Sequence, residues 1–349
     1  MPKQLLGRLE LGGRTSTITL YPGPAFGGPT PRSDGAPNLL ICDENTAPLA
    51  PPSQKGLFRV TVPAGERCKQ PDVFTSVLES CMAAGLTRSS TIYGVGGGAV
   101  TDLTAFVGSV YLRGIRVVLI PTTLLAMVDA AVGGKTGIDL GGYKNMVGTF
   151  YPAAEVRIVP ELLRTLPQRE YLSGLAEVLK AAFLGDSELV DLLEDNVHAV
   201  LNRDEGLLQE LIRRAVQVKI AVVQSDFTEQ GDRAFLNLGH TFGHALESVL
   251  GLGSWTHGEA VAWGIARAMH AGTAAGITDA AWSDRVITLL QRYGYETEPV
   301  PVDPEAVLSA MEKDKKRAAQ GVRFVLQRNC GQNLLHTMES AQIIDILTI

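Results

Sequence analysis

Residues 93–102 read Tyr-Gly-Val-Gly-Gly-Gly-Ala-Val-Thr-Asp, and this stretch decides the fold. It begins inside an apolar run at 91–95 and leads into a helix-like segment at 101–111. The spacing Gly94-x-Gly96-x-x-Ala99 matches the dinucleotide-binding pattern, in which backbone N–H groups at a helix start hold a pyrophosphate. A tight turn that binds no ligand would use the same glycines. The stretch therefore predicts a strand–turn–helix unit and leaves its ligand open.

The acidic side chain that binds the ribose in such sites is absent from its usual position. About 20 residues beyond the glycines, the chain reads Val117-Val118-Leu119-Ile120. Asp43 is the alternative candidate, because it directly follows another apolar run at 38–42. A ribose ligand would therefore come from a different strand than in the ordinary pattern.

Outward from the glycines, the chain divides into two parts with different periodicity. Apolar runs at 38–42, 91–95 and 116–120 alternate with helix-like segments at 72–84 and 101–111, which predicts a parallel sheet covered by helices. Beyond about residue 160, apolar residues recur with helical spacing over 168–183, 205–224, 237–250, 257–275 and 281–293. We predict an α/β domain over 1–160 and an all-helical domain over 161–349, connected through 152–166, with an exposed loop at 22–37.

Composition excludes several classes of partner. The chain has 349 residues with 31 Lys plus Arg against 37 Asp plus Glu, and it lacks the basic stripe that nucleic-acid binding needs. Its most apolar window, 93–112, contains Asp102 and the triplet Gly96-Gly97-Gly98, so we expect no membrane span. The four cysteines are scattered, and residues 1–11 lack a signal-peptide core. We therefore expect a cytoplasmic protein with a large core.

Three of the six histidines lie within 18 residues of sequence, at His240, His244 and His257. The spacing predicts Asn237, His240 and His244 on one face of a helix. A catalytic zinc site needs three converging N or O donors and one open position. Spacing leaves the third ligand open between Glu177 and Glu259, and two histidines satisfied within the helices would be the alternative.

Several cations lie in apolar or glycine-rich surroundings on this acidic chain. Lys219 interrupts an apolar stripe, and Lys135 and Lys144 occupy glycine-rich turns. A buried lysine requires an anion nearby, although Lys219 can also extend to solvent, and Lys180 can simply pair with Glu177. The pattern indicates a small substrate with phosphate or carboxylate groups.

Together these motifs resemble the 3-dehydroquinate synthase group of the sugar-phosphate cyclase family. The matching stretches are 96–102 (GGGAVTD), 111–114 (YLRG), 121–129 (PTTLLAMVD), 133–137 (GGKTG), 144–145 (KN), 172–180 (LSGLAEVLK), 237–245 (NLGHTFGHA), 257–261 (HGEAV) and 314–316 (DKK). They occur in the family's order across nearly the whole chain. The resemblance implies a dehydroquinate synthase-like fold, with a Rossmann-like α/β domain followed by an all-helical domain.

The resemblance also implies a role for each residue of the shared motifs. Zinc or cobalt is bound by Glu177, His240 and His257. NAD is bound by Gly96, Gly97, Gly98, Ala99, Asp102, Thr122, Thr123, Lys135, Lys144, Thr165 and Leu166, with Asp43, Asn45, Glu66 and Lys69 toward the adenosine. The substrate phosphate is held by Lys135, Asn145, Asn237, His244 and Lys315, with Arg113 from a neighbouring subunit of a homodimer. Lys219 and Arg233 hold a carboxylate, and Asp129, Lys144, Lys180 and Glu229 complete the polar surroundings.

The implied reaction converts 3-deoxy-D-arabino-heptulosonate 7-phosphate to 3-dehydroquinate and phosphate, a step of the shikimate pathway. It proceeds by transient oxidation with NAD, phosphate elimination, re-reduction and an intramolecular aldol closure, and we expect His244 to carry protons. Three rivals remain: a cyclase acting on sedoheptulose 7-phosphate or glucose 6-phosphate, a metal-dependent alcohol dehydrogenase, and a non-enzymatic NAD-binding protein. Lys219 and Arg233 favour the dehydroquinate reaction, because only its substrate carries a carboxylate.

Two departures from the family pattern stand out. The stretch 138–143 reads Ile-Asp-Leu-Gly-Gly-Tyr, where family members commonly read Asn-His-Pro-Leu-Gly before the Lys-Asn pair. Ala99 and Thr101 replace the usual Val and Gly of the glycine loop. The first departure leaves the loop's conformation open, and Thr101 can alter the start of the helix against the cofactor.

Overall fold

The computed structural model describes residues 3–21, 23, 35–226, 231–251, 253–314 and 322–349. The chain forms two compact units. The first comprises Met1–Pro167 with Lys219–Gln224, and the second comprises Gln168–Val218 with Ser225–Ile349. The expected loop at 22–37 falls mostly outside the described residues, and so do the candidate site residues Glu229 and Lys315.

The first unit is built on a seven-stranded sheet. Its strands are β1 (Gln4–Leu11), β2 (Arg14–Leu20), β3 (Asn38–Asp43), β4 (Leu57–Val62), β5 (Thr91–Gly96), β6 (Arg116–Pro121) and β9 (Glu155–Ile158), in the order β1-β2-β9-β6-β5-β3-β4. All neighbours pair in parallel except the β1–β2 hairpin. The three predicted strands are confirmed. Every residue of β3 and β5 is buried, as expected for central strands of a sheet covered on both faces.

Helices α1 (Pro71–Ala83) and α2 (Gly98–Val110) pack on this sheet. Helix α2 begins three residues before the predicted start at 101, because Gly98 already has a helical backbone. A Cβ on Gly108 of α2 would lie 2.1 Å from the Val117 side chain of β6, so the helix approaches the sheet closely. This contact and a core around Leu39, Ile92 and Leu103 fix the position of the glycine loop.

The segment 152–166, which the sequence indicated only as a connection, contains regular secondary structure. It contains the short strand β9, which pairs with β2 and β6, and a 3-10 helix at Pro160–Thr165. Four residues are too few to show a periodic pattern, which is why the sequence did not reveal this strand. Before it, β7 (Lys135–Leu140) and β8 (Tyr143–Phe150) form a separate antiparallel hairpin.

The second unit is mostly helical, which confirms the predicted order of an α/β part followed by a helical part. Its helices are α3 (Gln168–Gly185), α4 (Ser187–Asp195), α5 (Val197–Leu201), most of α6 (Glu205–Ser225), α7 (His240–Leu250), α8 (His257–Ala274), α9 (Ala280–Arg292), α10 (Pro304–Asp314) and α11 (Ser340–Thr348). One hairpin, β10 (Val322–Gln327) with β11 (Asn333–Met338), accompanies them. Among the described residues, no helix is long and apolar enough to cross a bilayer.

Candidate functional site

The glycine loop joins β5 to α2 as the spacing predicted. Gly97 is the N-cap of α2 and has an extended backbone, with φ −72° and ψ −171°. A Cβ on Gly97 would lie 3.1 Å from Thr123 Cγ2, and one on Gly98 would lie 3.3 Å from Ala130 Cβ. The first N–H groups of a helix have no partner within the helix. The loop thus packs closely against Thr123 and Ala130 and offers backbone donors at the start of α2, which suits the pyrophosphate of a dinucleotide.

Thr101, one of the departures from the family pattern, does not disturb this helix start. Its hydroxyl donates a hydrogen bond to the Gly98 carbonyl at 2.8 Å, and its N–H donates to the Gly97 carbonyl at 3.0 Å. The side chain is buried. The hydroxyl is therefore satisfied within the first turn, and α2 begins regularly.

Several candidate NAD ligands lie at or beyond the ends of strands of the first unit. Asp43 is buried at the end of β3, and its Oδ1 accepts a hydrogen bond from the Thr46 N–H at 2.8 Å. Asn45 is exposed in the turn that follows. Thr122 is buried, and its N–H donates to the Gly96 carbonyl at 2.9 Å. Thr165, by contrast, is exposed at the end of its 3-10 helix, beside half-buried Leu166.

A polar cluster in the first unit joins Lys69 to three other predicted ligands. The Lys69 ammonium lies 2.9 Å from Asp102 Oδ2 and 3.8 Å from Glu66 Oε2, and it donates to Asn145 Oδ1. Burial opposes the charge on Lys69, but Asp102 and Glu66 outweigh it and raise the lysine's pKa. Burial also raises the pKa of Asp102 to about 6. The structure therefore brings Asp102 and Asn145 to Glu66 and Lys69, the two residues that the resemblance placed toward the adenosine.

Glu177, His240 and His257 form the candidate metal centre in the second unit. One ligand atom from each side chain lies within 4.8 Å of the others. Glu177 Oε1 is 3.7 Å from His240 Nε2 and 3.4 Å from His257 Nε2. That oxygen is buried and accepts no hydrogen bond among the described residues. A buried acceptor facing two imidazoles fits a divalent metal, which would satisfy it.

The protonation of His240 and Glu177 also suits a metal. His240 Nδ1 lies 3.2 Å from the Leu238 carbonyl, an arrangement that directs an N–H to the carbonyl and leaves Nε2 as an acceptor. Burial and the neighbouring Lys180 hold the pKa of His240 well below its ordinary value. Burial would raise the pKa of Glu177, but Lys180, His257 and His240 hold it well below its usual range. An ionised carboxylate and a neutral imidazole are the forms that bind metals.

Glu247 is a residue of this site that the sequence did not reveal. Its Oε2 lies 3.7 Å from Nδ1 of His257, on the side away from Glu177. Burial opposes the charge on His257, but Glu177 and Glu247 outweigh it and raise the pKa of His257 to about 9. His244, Glu247 and His257 also form a second group with metal-ligand spacing. The i, i+3 spacing of His244 and Glu247 on α7 was the available signal.

The structure places Glu259 outside the metal group. Its carboxylate accepts the Thr256 N–H at 2.6 Å, while the Thr256 hydroxyl accepts the Glu259 N–H at 3.2 Å. Glu259 also pairs with Arg169 at 3.0 Å. This reciprocal capping box explains why an acid follows His257 so closely in sequence.

The prediction of one helix face for Asn237, His240 and His244 is wrong for Asn237. That residue ends a 3-10 helix at Asp232–Asn237, and Gly239 has φ +79° before α7 begins. A Cβ on Gly239 would lie 2.6 Å from the Val261 carbonyl, so only glycine fits this turn. His240 and His244 remain neighbours on α7, with ring centroids 5.1 Å apart.

The remaining candidates are divided between the two units. In the first, Lys219 pairs with Asp129, so the expected anion near this lysine is a side chain of the same unit. Lys135 and Lys144 are exposed on the β7–β8 hairpin. Arg113 has φ +64°, an uncommon value for a side chain of its size. In the second unit, Arg233 is 1% exposed and its guanidinium is withdrawn from water.

Most of the chain matches family models of known proteins. Residues 59–173 match the family model described as 3-dehydroquinate synthase N-terminal, and residues 174–317 match the one described as 3-dehydroquinate synthase C-terminal. The chain is similar to a 2-epi-5-epi-valiolone synthase from Streptomyces hygroscopicus with NAD+ and Zn2+ bound, at 26% identity over 95% of each chain and a TM-score of 0.84.

Two further solved structures are similar in fold. One is a 2-deoxy-scyllo-inosose synthase complexed with carbaglucose-6-phosphate, NAD+ and Co2+, at 22% identity over 98% of each chain and a TM-score of 0.85. The other is a probable glycerol dehydrogenase from Sinorhizobium meliloti, at 15% identity over 90% of this chain and 89% of that one, with a TM-score of 0.65.

Proposed function

Since the chain belongs to the 3-dehydroquinate synthase family, we propose that it converts 3-deoxy-D-arabino-heptulosonate 7-phosphate to 3-dehydroquinate and phosphate. The burial of Arg233 carries this choice of substrate. Arg233 is a buried cation in the unit that holds the metal group, and a guanidinium is suited to binding a carboxylate through paired hydrogen bonds. Sedoheptulose 7-phosphate and glucose 6-phosphate lack that group. The reaction places the protein in the shikimate pathway of aromatic amino acid synthesis.

A sister cyclase activity is the second candidate. The relatives with the same fold include 2-epi-5-epi-valiolone and 2-deoxy-scyllo-inosose synthases, and the latter was solved with a sugar-phosphate analogue. Such an enzyme would share the glycine loop and metal group but would need no cation for a carboxylate. Arg233 and Lys219 therefore distinguish the two candidates.

We propose NAD and Zn2+ or Co2+ as the cofactors, by analogy with these relatives. The glycine loop, Asp43, Lys69 and Asp102 would hold NAD, and Glu177, His240 and His257 would hold the metal. When bound, the metal would acidify the substrate hydroxyl and NAD would take and return a hydride. Lys180 keeps Glu177 ionised, and the Leu238 carbonyl keeps His240 in the ligating tautomer.

The remaining residues would bind the substrate and move protons. Lys135, Asn145 and Asn237 would hold the phosphate through charge and amide hydrogen bonds, which also stabilise phosphate as it leaves. His244 is exposed beside His240, so it can exchange protons with water while reaching the substrate. Lys219 would share its charge between Asp129 and the substrate carboxylate.

The experiment that tests this function measures phosphate release from the metal-loaded protein with catalytic NAD. We expect stoichiometric phosphate and 3-dehydroquinate from the heptulosonate 7-phosphate, without accumulation of NADH at 340 nm. Turnover of sedoheptulose 7-phosphate or glucose 6-phosphate instead would assign the sister activity. Accumulating NADH with a simple alcohol would assign a dehydrogenase.

Replacing Arg233 by Gln is expected to lower kcat/KM for the heptulosonate roughly 10- to 100-fold, since a hydrogen bond to a charged group contributes about 1.5–3 kcal/mol. The loss should fall mainly on KM, while inhibition by inorganic phosphate stays unchanged. Arg88→Gln, at an exposed position of the first unit, serves as the control. An unchanged KM in Arg233→Gln would show that Arg233 does not bind the substrate carboxylate.

We further propose a homodimer in which Arg113 of one subunit completes the phosphate site of the other. The β7–β8 hairpin exposes large apolar side chains that a second copy would cover: Leu140, Tyr143, Met146, Val147 and Phe150. Leu112, beside Arg113, is also exposed and has φ +49°. Light scattering on the purified protein should give twice the chain mass, and a monomer at assay concentration would contradict the proposal.

The cytoplasm is the proposed location. All four cysteines are free thiols, and three of them are buried in the first unit. Free buried thiols are typical of proteins that fold in a reducing compartment.

A further inference from the structure

The stretch 138–143, which departs from the family pattern, forms the tip of the β7–β8 hairpin. Leu140 pairs with Tyr143 across a two-residue turn in which Gly141 has φ +61° and Gly142 has φ +82°. Two successive positive φ values are typical of the two-residue hairpin turn whose backbone twist matches the right-handed twist of the flanking strands. Ile138 pairs with Val147, so the register shifts between the two pairs. Residues 144–146 therefore lie opposite Asp139 alone, as a bulge.

Asp139 holds the bulge through its side chain. Its Oδ1 accepts a hydrogen bond from the Asn145 N–H at 2.8 Å, and the residue is only 8% exposed. Asn145 has φ +55°, a conformation that asparagine tolerates better than most residues. The N–H of a bulged residue has no partner in the ladder, so Asp139 supplies one.

The conformation of Asn145 in turn fixes its side chain on the polar cluster of the first unit. Asn145 Oδ1 accepts from the Lys69 ammonium, which also pairs with Asp102 at 2.9 Å. Asp102 lies on α2, in the second turn after the glycine loop. Burial opposes the charge on Lys69, yet Asp102, Glu66 and Asp139 together raise its pKa. A continuous set of polar contacts thus leads from the hairpin tip to the helix that begins at the glycine loop.

We propose that Asp139 is a positioning residue, which through its hydrogen bond to the Asn145 N–H sets Asn145 and Lys69 in place for cofactor and substrate binding. In this role Asp139 acts through Asn145 and not by binding either ligand. The inference rests on the proposed function only in taking Lys69 and Asp102 as NAD ligands and Asn145 as a phosphate ligand. In this chain, Asp139 and the two-glycine turn stand where family members commonly read Asn-His-Pro-Leu-Gly.

The test compares Asp139→Ala and Asp139→Asn, with Asp72→Ala at an exposed position of α1 as the matched control. The asparagine retains an oxygen that can accept the Asn145 N–H, whereas alanine does not. Amide hydrogen exchange at Asn145 and calorimetric NAD binding are measured first, because neither requires turnover. In Asp139→Ala we expect Asn145 to exchange at least about tenfold faster and NAD to bind roughly tenfold more weakly.

Asp139→Asn should restore Asn145 protection and bring NAD affinity to within about threefold of wild type. In phosphate release, Asp139→Ala should raise KM more than it lowers kcat, because it displaces ligands rather than reacting groups. The proposal is overturned if Asp139→Ala leaves Asn145 exchange and NAD affinity unchanged, or if Asp139→Asn is as defective as alanine. If the wild-type protein binds NAD but turns over only sedoheptulose 7-phosphate or glucose 6-phosphate, the proposed function is wrong. The inference about Asp139 is then unaffected.

Discussion

Glu177→Gln is expected to lose the bound metal and with it nearly all phosphate release. The Gln amide oxygen carries no charge, so one of the three donors facing the metal position becomes a weak ligand. Lewis-acid stabilisation by a metal amounts to several kcal/mol, which corresponds to a loss on the order of 1000-fold in kcat. Metal content after dialysis and chelator competition measure the first effect, and the phosphate assay measures the second.

The design of this test must separate metal loss from misfolding. Glu177 and Lys180 pair while both are almost fully buried, so Glu177→Gln leaves the lysine charge uncompensated. Breaking such a pair from one side costs about 3–5 kcal/mol. Adding Lys180→Met should recover stability without recovering metal. Glu259→Gln is the matched control, because glutamine can still complete the capping box of α8. Full metal occupancy in Glu177→Gln, or its loss in Glu259→Gln, would contradict the assignment.

These two glutamates also show where sequence reasoning stopped. Glu259 lies two residues after His257, whereas Glu177 is far from the clustered histidines in sequence, and spacing alone could not choose between them. The choice depends on the packing of three helices, α3, α7 and α8, which brings Glu177 to His240 although 63 residues separate them, since 240 − 177 = 63. The resemblance to the family selected Glu177, and the geometry of the described residues agrees.

Local chemistry predicted the fold better than it predicted the site. The apolar runs gave β3, β5 and β6, and helical spacing gave most of the long helices of the second unit. Asn237 was misplaced because the positive φ of Gly239 is a tertiary requirement, imposed by the nearby Val261 carbonyl. The bulge at Asp139 was not predictable either, because it depends on a strand register that the two-glycine turn sets.

Gly258→Ala is expected to destabilise the second unit and to displace a metal ligand at the same time. A Cβ at this position would lie 2.1 Å from the Ser173 carbonyl oxygen and 2.5 Å from Ser173 Cα. Those atoms belong to the backbone of α3, so no side chain can turn away to make room. Overpacking lowers the free energy of unfolding by about 1–3 kcal/mol and occasionally more. Because this clash is with backbone atoms, we expect a loss of about 3 kcal/mol.

The clash bears directly on the metal group, because Gly258 follows His257 on α8 and Ser173 precedes Glu177 by one turn of α3. The Gly258 N–H also donates to Ser173 Oγ at 3.0 Å, so separating the helices would break that bond. We expect a Tm lower by several degrees and metal affinity weaker by roughly tenfold or more, as when a ligand loses its supporting contacts. Gly185→Ala, at the end of the same α3 with nothing within 4 Å, should match wild type in both measurements. A wild-type Tm and metal affinity in Gly258→Ala would mean that α3 and α8 can separate without loss of stability. The close packing of these two helices could then not be what positions Glu177 and His257.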